Sequence, residues 1–238
     1  MPRLDVLLAR NLGWSRTAAR AALAAGRVRS TAGTVFEDPR TDVAELPLTV
    51  VLDDASLPLH DVVDVMMNKP TGCVTALRDA RHPTAYALLR EAPLHAELRP
   101  VGRLDLDTSG LLLWTTDGSW LQRLTHPKRA VPRSYQAALA CPFQPPPRDL
   151  VLDDGQRPHI ESLAPLDPAD AHSALAIPAD ASAFATITIT GGAYHEVRRI
   201  FAALGSHVLA LCRVRFGKLQ LPPDLAPGGY RLLSRDEV

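Results

Sequence analysis

The sequence predicts an α+β protein in two parts: a small N-terminal domain, and a larger domain whose mixed, mainly antiparallel sheet is flanked by helices. Three observations lead there. Strand-like runs are interspersed with helical ones in no βαβ rhythm, which argues against a doubly wound parallel sheet. Residues 1–52 carry a helix, turn, helix, hairpin pattern complete in itself. A chain of 238 residues that is 46% hydrophobic and 22% charged can bury two separate cores.

Taken in order, Leu4, Val6, Leu7 and Leu8 make the apolar side of a first helix. Ser15 is a suitable N-cap for a second, alanine-rich helix over 16–25, which Gly26 ends. Residues 27–30 and 34–36 alternate about Ala32-Gly33 as a short hairpin. Residues 53–61 hold a proline and show no periodicity, so they read as a linker, with 62–238 as the larger domain. In that domain 62–67 reads as a buried strand ending at Asn68-Lys69-Pro70, 84–90 as a helix, and 111–115 as a strand. A short helix starts at Trp120 and a strand covers 134–140. Residues 142–180, rich in Pro, Asp and Ala, read as loops with short elements. A strand over 185–190 turns at Gly191-Gly192 into a helix over 195–204 and a last strand over 208–216.

Several function classes are excluded. No apolar run approaches the roughly 18 residues of a membrane span. Arg3, Asp5 and Arg10 break any signal-peptide pattern, so the chain reads as cytoplasmic. Cys73, Cys141 and Cys212 are odd in number and far apart, which fits reduced thiols. No His or Cys pair has metal-ligand spacing, so no metal is expected, and Gly191-Gly192 lacks the Lys-Ser/Thr of a phosphate loop. No heptad pattern appears, and a monomer is the expectation.

The net charge of zero hides an uneven distribution. Residues 1–30 carry six arginines against Asp5 alone; 121–135 carry Arg123, Lys128, Arg129 and Arg133 with no acid. Residues 195–218 carry Arg198, Arg199, Arg213, Arg215 and Lys218 against Glu196. Basic patches on a neutral chain suggest a polyanion held on one face.

The run Gly102-Arg103-Leu104-Asp105-Leu106-Asp107-Thr108-Ser109-Gly110, followed by Leu111-Leu112-Leu113, sets a carboxylate between an arginine and an apolar strand. A carboxylate there costs free energy unless an ionic or catalytic role retains it, which makes Asp105 the candidate reacting group. In an extended segment Asp107 would lie about 7 Å away on the same side. That is a poor arrangement for flanking a sugar, so Asp107 reads as a turn residue bonding near Thr108.

These residues resemble a known signature. Asn68-Lys69-Pro70-Thr71-Gly72, the 102–113 run and Tyr194-His195-Glu196-Val197-Arg198-Arg199-Ile200-Phe201 are similar, in that order, to motifs of RNA pseudouridine synthases of the RsuA/RluA superfamily. The first 50 or so residues resemble an S4 RNA-binding domain, and the run from Leu221 to Arg231 resembles the RsuA type. The resemblance implies isomerisation of one uridine to pseudouridine in 16S ribosomal RNA, at position 516, in an assembling small-subunit particle and without a cofactor. It implies Asp105 as the essential carboxylate, Arg198 as its ionic partner and Tyr135 as the ring that stacks a flipped uracil. Arg16, Arg20, Arg27 and Arg29 of the S4-like part, with Arg103, Arg133 and Arg199, would contact RNA. Adjacent helix residues diverge by about 100°, so only one of Arg198 and Arg199 should face the pocket. Three departures stand out: Arg133 where the family has Lys, Cys212 where relatives have His before Arg213, and Thr31-Ala32-Gly33 in place of Val-Asn-Gly. Cys212 reads as a small buried apolar residue. The alternatives are a synthase for 23S rRNA, a non-catalytic S4-type RNA-binding protein, and a hydrolase using Asp105 with Asp107.

Overall fold

A computed structural model describes residues 1–238. The chain divides into two compact units: residues 1–63 with 91–98, and residues 64–90 with 99–238.

The first unit begins with α1 (Leu4–Leu12) and α2 (Arg16–Ala24). Leu4, Leu7 and Leu8 recur at helical spacing and are fully buried, each contributing about 2 kcal/mol. Gly13 ends α1 in the left-handed conformation, and Ser15 Oγ accepts from Ala18 N at 3.1 Å to start α2. Ala19, Ala22 and Leu23 of α2 face the same core. A three-stranded antiparallel sheet follows: β1 (Val28–Ser30), β2 (Leu48–Leu52) and β3 (Ala55–Leu59) in that order.

One expectation holds in shortened form and one is corrected. Residues 34–36 return antiparallel along β1 through the Arg29–Val35 bridge, with Ser30 N donating to Thr34 O at 2.7 Å and Phe36 N to Val28 O at 3.0 Å; β1 also pairs with β2, in register Val28 to Leu52. The stretch read as a linker is a tight turn at Asp53-Asp54 followed by β3, and Leu59 is in the core. The exposed face and Pro58 concealed its alternation. The unit boundary accordingly falls after Val63. Residues 91–98 also belong to this unit, because Arg10 holds the Glu97 carboxylate through Nε at 3.1 Å and Nη2 at 2.9 Å.

The second unit holds the mixed, mainly antiparallel sheet that the sequence predicts. Its strands are β4 (Asp64–Lys69), β5 (Arg99–Val101), β6 (Thr108–Thr115), β7 (Arg133–Leu139), β8 (Ile160–Pro165), β9 (Ala183–Ile189), β10 (Val208–Phe216), β11 (Leu219–Gln220) and β12 (Tyr230–Leu232). The order is β12-β4-β6-β10-β7-β9-β8, with β5 on β6 and β11 on β10. Only β6 and β10 run parallel. Every residue of β6 is buried, as expected for a central strand covered on both faces. The helices are α3 (Gly118–Thr125), capped by Asp117, and α4 (Glu196–Ala203); 85–89, expected as an α-helix, is a short 3-10 turn. Its five residues are too few to sustain α-helical bonding.

Candidate active site

One row of paired residues across the sheet delivers the site. Lys69 on β4 pairs with Gly110 on β6, Gly110 with Arg213 on β10, Arg213 with Tyr135 on β7, and Tyr135 with Ile187 on β9. Directly opposed residues share a face, so Lys69, Arg213 and Tyr135 project from the same side. Gly110 is the spacer between them. A Cβ there would overlap the Arg213 backbone, and its φ of 102° is one that only glycine adopts easily. Tyr135 is buried, and Arg213 is 1% exposed with its Nε donating to Leu111 O at 2.8 Å.

The Asp105 loop, residues 102–107, is fastened from below by Lys69. The fully buried ammonium donates to Thr108 O at 2.9 Å and to Asp105 O and Pro70 O, each at 3.0 Å. Burial pushes the Lys69 ammonium below its usual value, and the nearby Cys73, Asp105 and Asp107 partly oppose that. Thr75 Oγ1 adds a clasp, accepting from Leu104 N at 3.0 Å and donating to Leu104 O at 2.9 Å.

Asp105 does not meet Arg198. Its Oδ1 faces His195 Nε2 at 3.6 Å, whereas Arg198 Nη2 reaches Asp107 Oδ2 at 2.9 Å and its Nη1 donates to Val208 O at 3.1 Å. The expected Asp105–Arg198 pair is thus corrected to Asp107–Arg198, and Asp107 is an ion-pair partner rather than a turn former only. The two carboxylates lie in an irregular loop, so strand alternation does not align them.

At the start of α4, His195 takes a left-handed backbone, φ 52°. The Glu196 carboxylate holds this turn by accepting from Ala193 N at 2.9 Å. It sits where a Cβ on Gly191 would be, which accounts for glycine at that position. Val197, Ile200 and Phe201 are buried, leaving Arg198 on the cavity side. The neighbouring Arg199 diverges as its helical position requires and pairs with Asp153 (Nε to Oδ1, 2.6 Å) and Asp154. Arg133 likewise turns inward: Nη1 donates to Thr190 O and Gly191 O, and its guanidinium lies 4.8 Å from the Phe216 ring centroid. It holds the loop before α4 and also lines the site cavity.

These groups enclose a cavity of about 760 Å³, large enough for a nucleoside with part of its backbone. Asp105, Tyr135, His195, Arg198 and Arg213 line it, and the exposed Arg103 stands at its edge. Arg213, Lys69 and His195 were not singled out as site residues by the sequence. A charged residue inside an otherwise apolar strand, as Arg213 and Lys69 are, is the signal that could have found two of them. Cys212 is buried, and burial raises its thiol to about 11, as suits the apolar role read from the sequence.

In the first unit the buried Asp5 gathers three arginines: Arg20 Nε at 2.8 Å, with Arg16 Nη2 and Arg3 Nη2 both at 3.3 Å. Arg16 and Arg20 remain about half exposed, so the cluster presents excess positive charge. Arg27 pairs with Asp53, and Arg29 is exposed.

Residues 63–203 match the family described as RNA pseudouridylate synthase. The chain is 35% identical over 239 residues to the ribosomal small subunit pseudouridine synthase A of Escherichia coli K12, covering 99% of this chain and 98% of that one. It is 34% identical, over 99% of its length and 96% of the other, to an uncharacterized RNA pseudouridine synthase of Bacillus subtilis. The crystal structure of a pseudouridylate synthase superposes with a TM-score of 0.61 at 31% identity, covering 100% of this chain and 98% of that one.

Proposed function

Since this chain belongs to the RNA pseudouridylate synthase family, we propose that it isomerises one uridine of 16S ribosomal RNA, at position 516, in an assembling small-subunit particle. The observation that carries this substrate is the near full-length likeness to the small-subunit enzyme of E. coli. A ribosomal substrate puts the working protein in the cytoplasm; no helix is long and apolar enough to cross a membrane.

The reaction breaks the N1–C1′ glycosidic bond, turns the uracil and joins C5 to C1′; C5 gives up its proton and N1 takes one, so atoms balance. Asp105 is the reacting carboxylate, by attack on the sugar or base or by removal of a sugar proton. Its place in a cavity wide enough for a flipped nucleotide supports that role. Tyr135 offers the stacking ring for uracil. Arg198, held by Asp107, and the buried Arg213 supply positive charge to a bound phosphate or to the uracil oxygens. The exposed Arg103 and, in the first unit, Arg16, Arg20, Arg27 and Arg29 contact RNA phosphates, the first unit acting as an S4-type module.

The test incubates wild type and Asp105→Asn with unmodified 16S rRNA in partly assembled 30S particles, then maps pseudouridine by carbodiimide labelling and reverse-transcription stops. One new stop with wild type and none with the variant is expected. A stop only in 23S rRNA would move the substrate to the large subunit, and no stop in either RNA would leave an RNA-binding protein.

A further inference from the structure

Tyr194 stands apart from the other aromatic side chains. Among the Trp, Tyr and Phe residues of the chain it alone is exposed, at 77%. An aromatic ring held in water forfeits the burial that a core site would give it. Yet it is not loose: one face stacks on the His195 ring, with centroids 3.8 Å apart and planes 17° from parallel. His195 in turn faces Asp105 at 3.6 Å, and its unusual backbone is set by the Glu196 turn. Both rings line the rim of the cavity that holds Asp105. The outer face of Tyr194 is therefore a flat, open, preorganised surface beside the reacting carboxylate, with Arg103 exposed at the same cavity.

We propose that Tyr194 is the stacking platform for an RNA base flanking the isomerised uridine, filling the space that the flipped nucleotide leaves in the strand. This rests on the RNA substrate proposed above. Every base has a π-face, so such a contact grips a single strand without reading its sequence, and the Arg103 cation at the same cavity draws the strand's phosphates. The His195 ring rigidifies the platform, so little rotamer freedom is lost when a base lands on it.

The test compares wild type, Tyr194→Phe and Tyr194→Ala in steady-state pseudouridine formation on 30S-particle RNA, intact or ligated with an abasic nucleotide on one or other side of the target. Tyr194→Phe should match wild type within about twofold, and Tyr194→Ala should raise KM roughly five- to hundredfold with kcat nearly unchanged. One abasic substrate should reproduce that loss in wild type and add nothing further in Tyr194→Ala. Binding to a short single-stranded RNA and to its abasic counterpart is measured in parallel. If wild type makes no pseudouridine, the substrate reading fails, while loss of affinity confined to the base-bearing strand in Tyr194→Ala still supports the platform. Equal KM and equal affinity for Tyr194→Ala and wild type would overturn it, as would losses from variant and abasic site that multiply.

Discussion

Arg198 Nη2 lies 2.9 Å from Asp107 Oδ2, so the two carboxylates of the 102–107 loop have different partners: Asp107 a guanidinium, Asp105 an imidazole and the open cavity. Asp105→Asn should abolish turnover and leave RNA affinity within about twofold. Asp107→Asn should lower kcat by up to about tenfold, because Arg198 loses the ion pair that helps orient it. Single-turnover pseudouridine formation and filter binding measure both. Equal loss in the two variants would instead favour the two-carboxylate hydrolase.

Lys69 is the fastening of the catalytic loop. Lys69→Met keeps most of the volume but leaves three carbonyl oxygens without their donor. The native state should lose about 3 kcal/mol in urea unfolding. Turnover should fall further than the folded fraction does, since the Asp105 backbone is one of the freed groups.

Gly191→Ala adds a methyl group where the Glu196 carboxylate sits. Glu196 must withdraw, releasing Ala193 N and the turn that presents His195. A stability loss of about 1–2 kcal/mol is expected, with a larger proportional loss of kcat. Gly191→Ala combined with Glu196→Ala should recover part of the stability, because the overlap is gone; thermal unfolding of the pair against each single variant reads this.

Cys212 gives the chain an alkaline liability. The folded thiol, at about 11, holds its proton more tightly than an unfolded thiol near 9. Its stabilising effect is fully present below about pH 9 and is lost as pH rises through 11, to a total of about 3 kcal/mol. Urea midpoints from pH 7 to pH 11 should fall in wild type and fall less in Cys212→Ala, which starts lower but lacks the titrating group.

Much of the fold was legible because burial writes a period into the sequence. Leu4, Leu7 and Leu8 announce α1, Ser15 announces the start of α2, and 208–216 was read to its final residues. β3 was missed because its burial is nearly one residue deep: Leu59 is inside while Ala55, Ser56 and Pro58 are exposed. Pairing partners were the harder matter. Nothing local says that β1 takes Leu52, or that 91–98 joins the first unit through Arg10 and Glu97. The site was legible as motifs and illegible as contacts: Asp105, Tyr135 and Arg198 do line one cavity, but which carboxylate meets Arg198 depends on the path of an irregular loop. The inward turn of Arg133 and Arg199 depends on carbonyls and acids far along the chain.

The parallel pairing of β6 with β10 also sets a clock. The Asp105 loop leads into β6 and α4 leads towards β10, so both lie at the same edge of the sheet only when Thr108 has met Leu211. A ribosome adding about 5–20 residues per second has made Asp105 roughly ten seconds before it makes that partner strand. During the interval the nascent chain carries its reacting group without the arginine-bearing helix or the Arg213 floor, and local contacts cannot substitute for so distant a closure. The site is therefore complete only once β10 has been made, late in the synthesis of the chain.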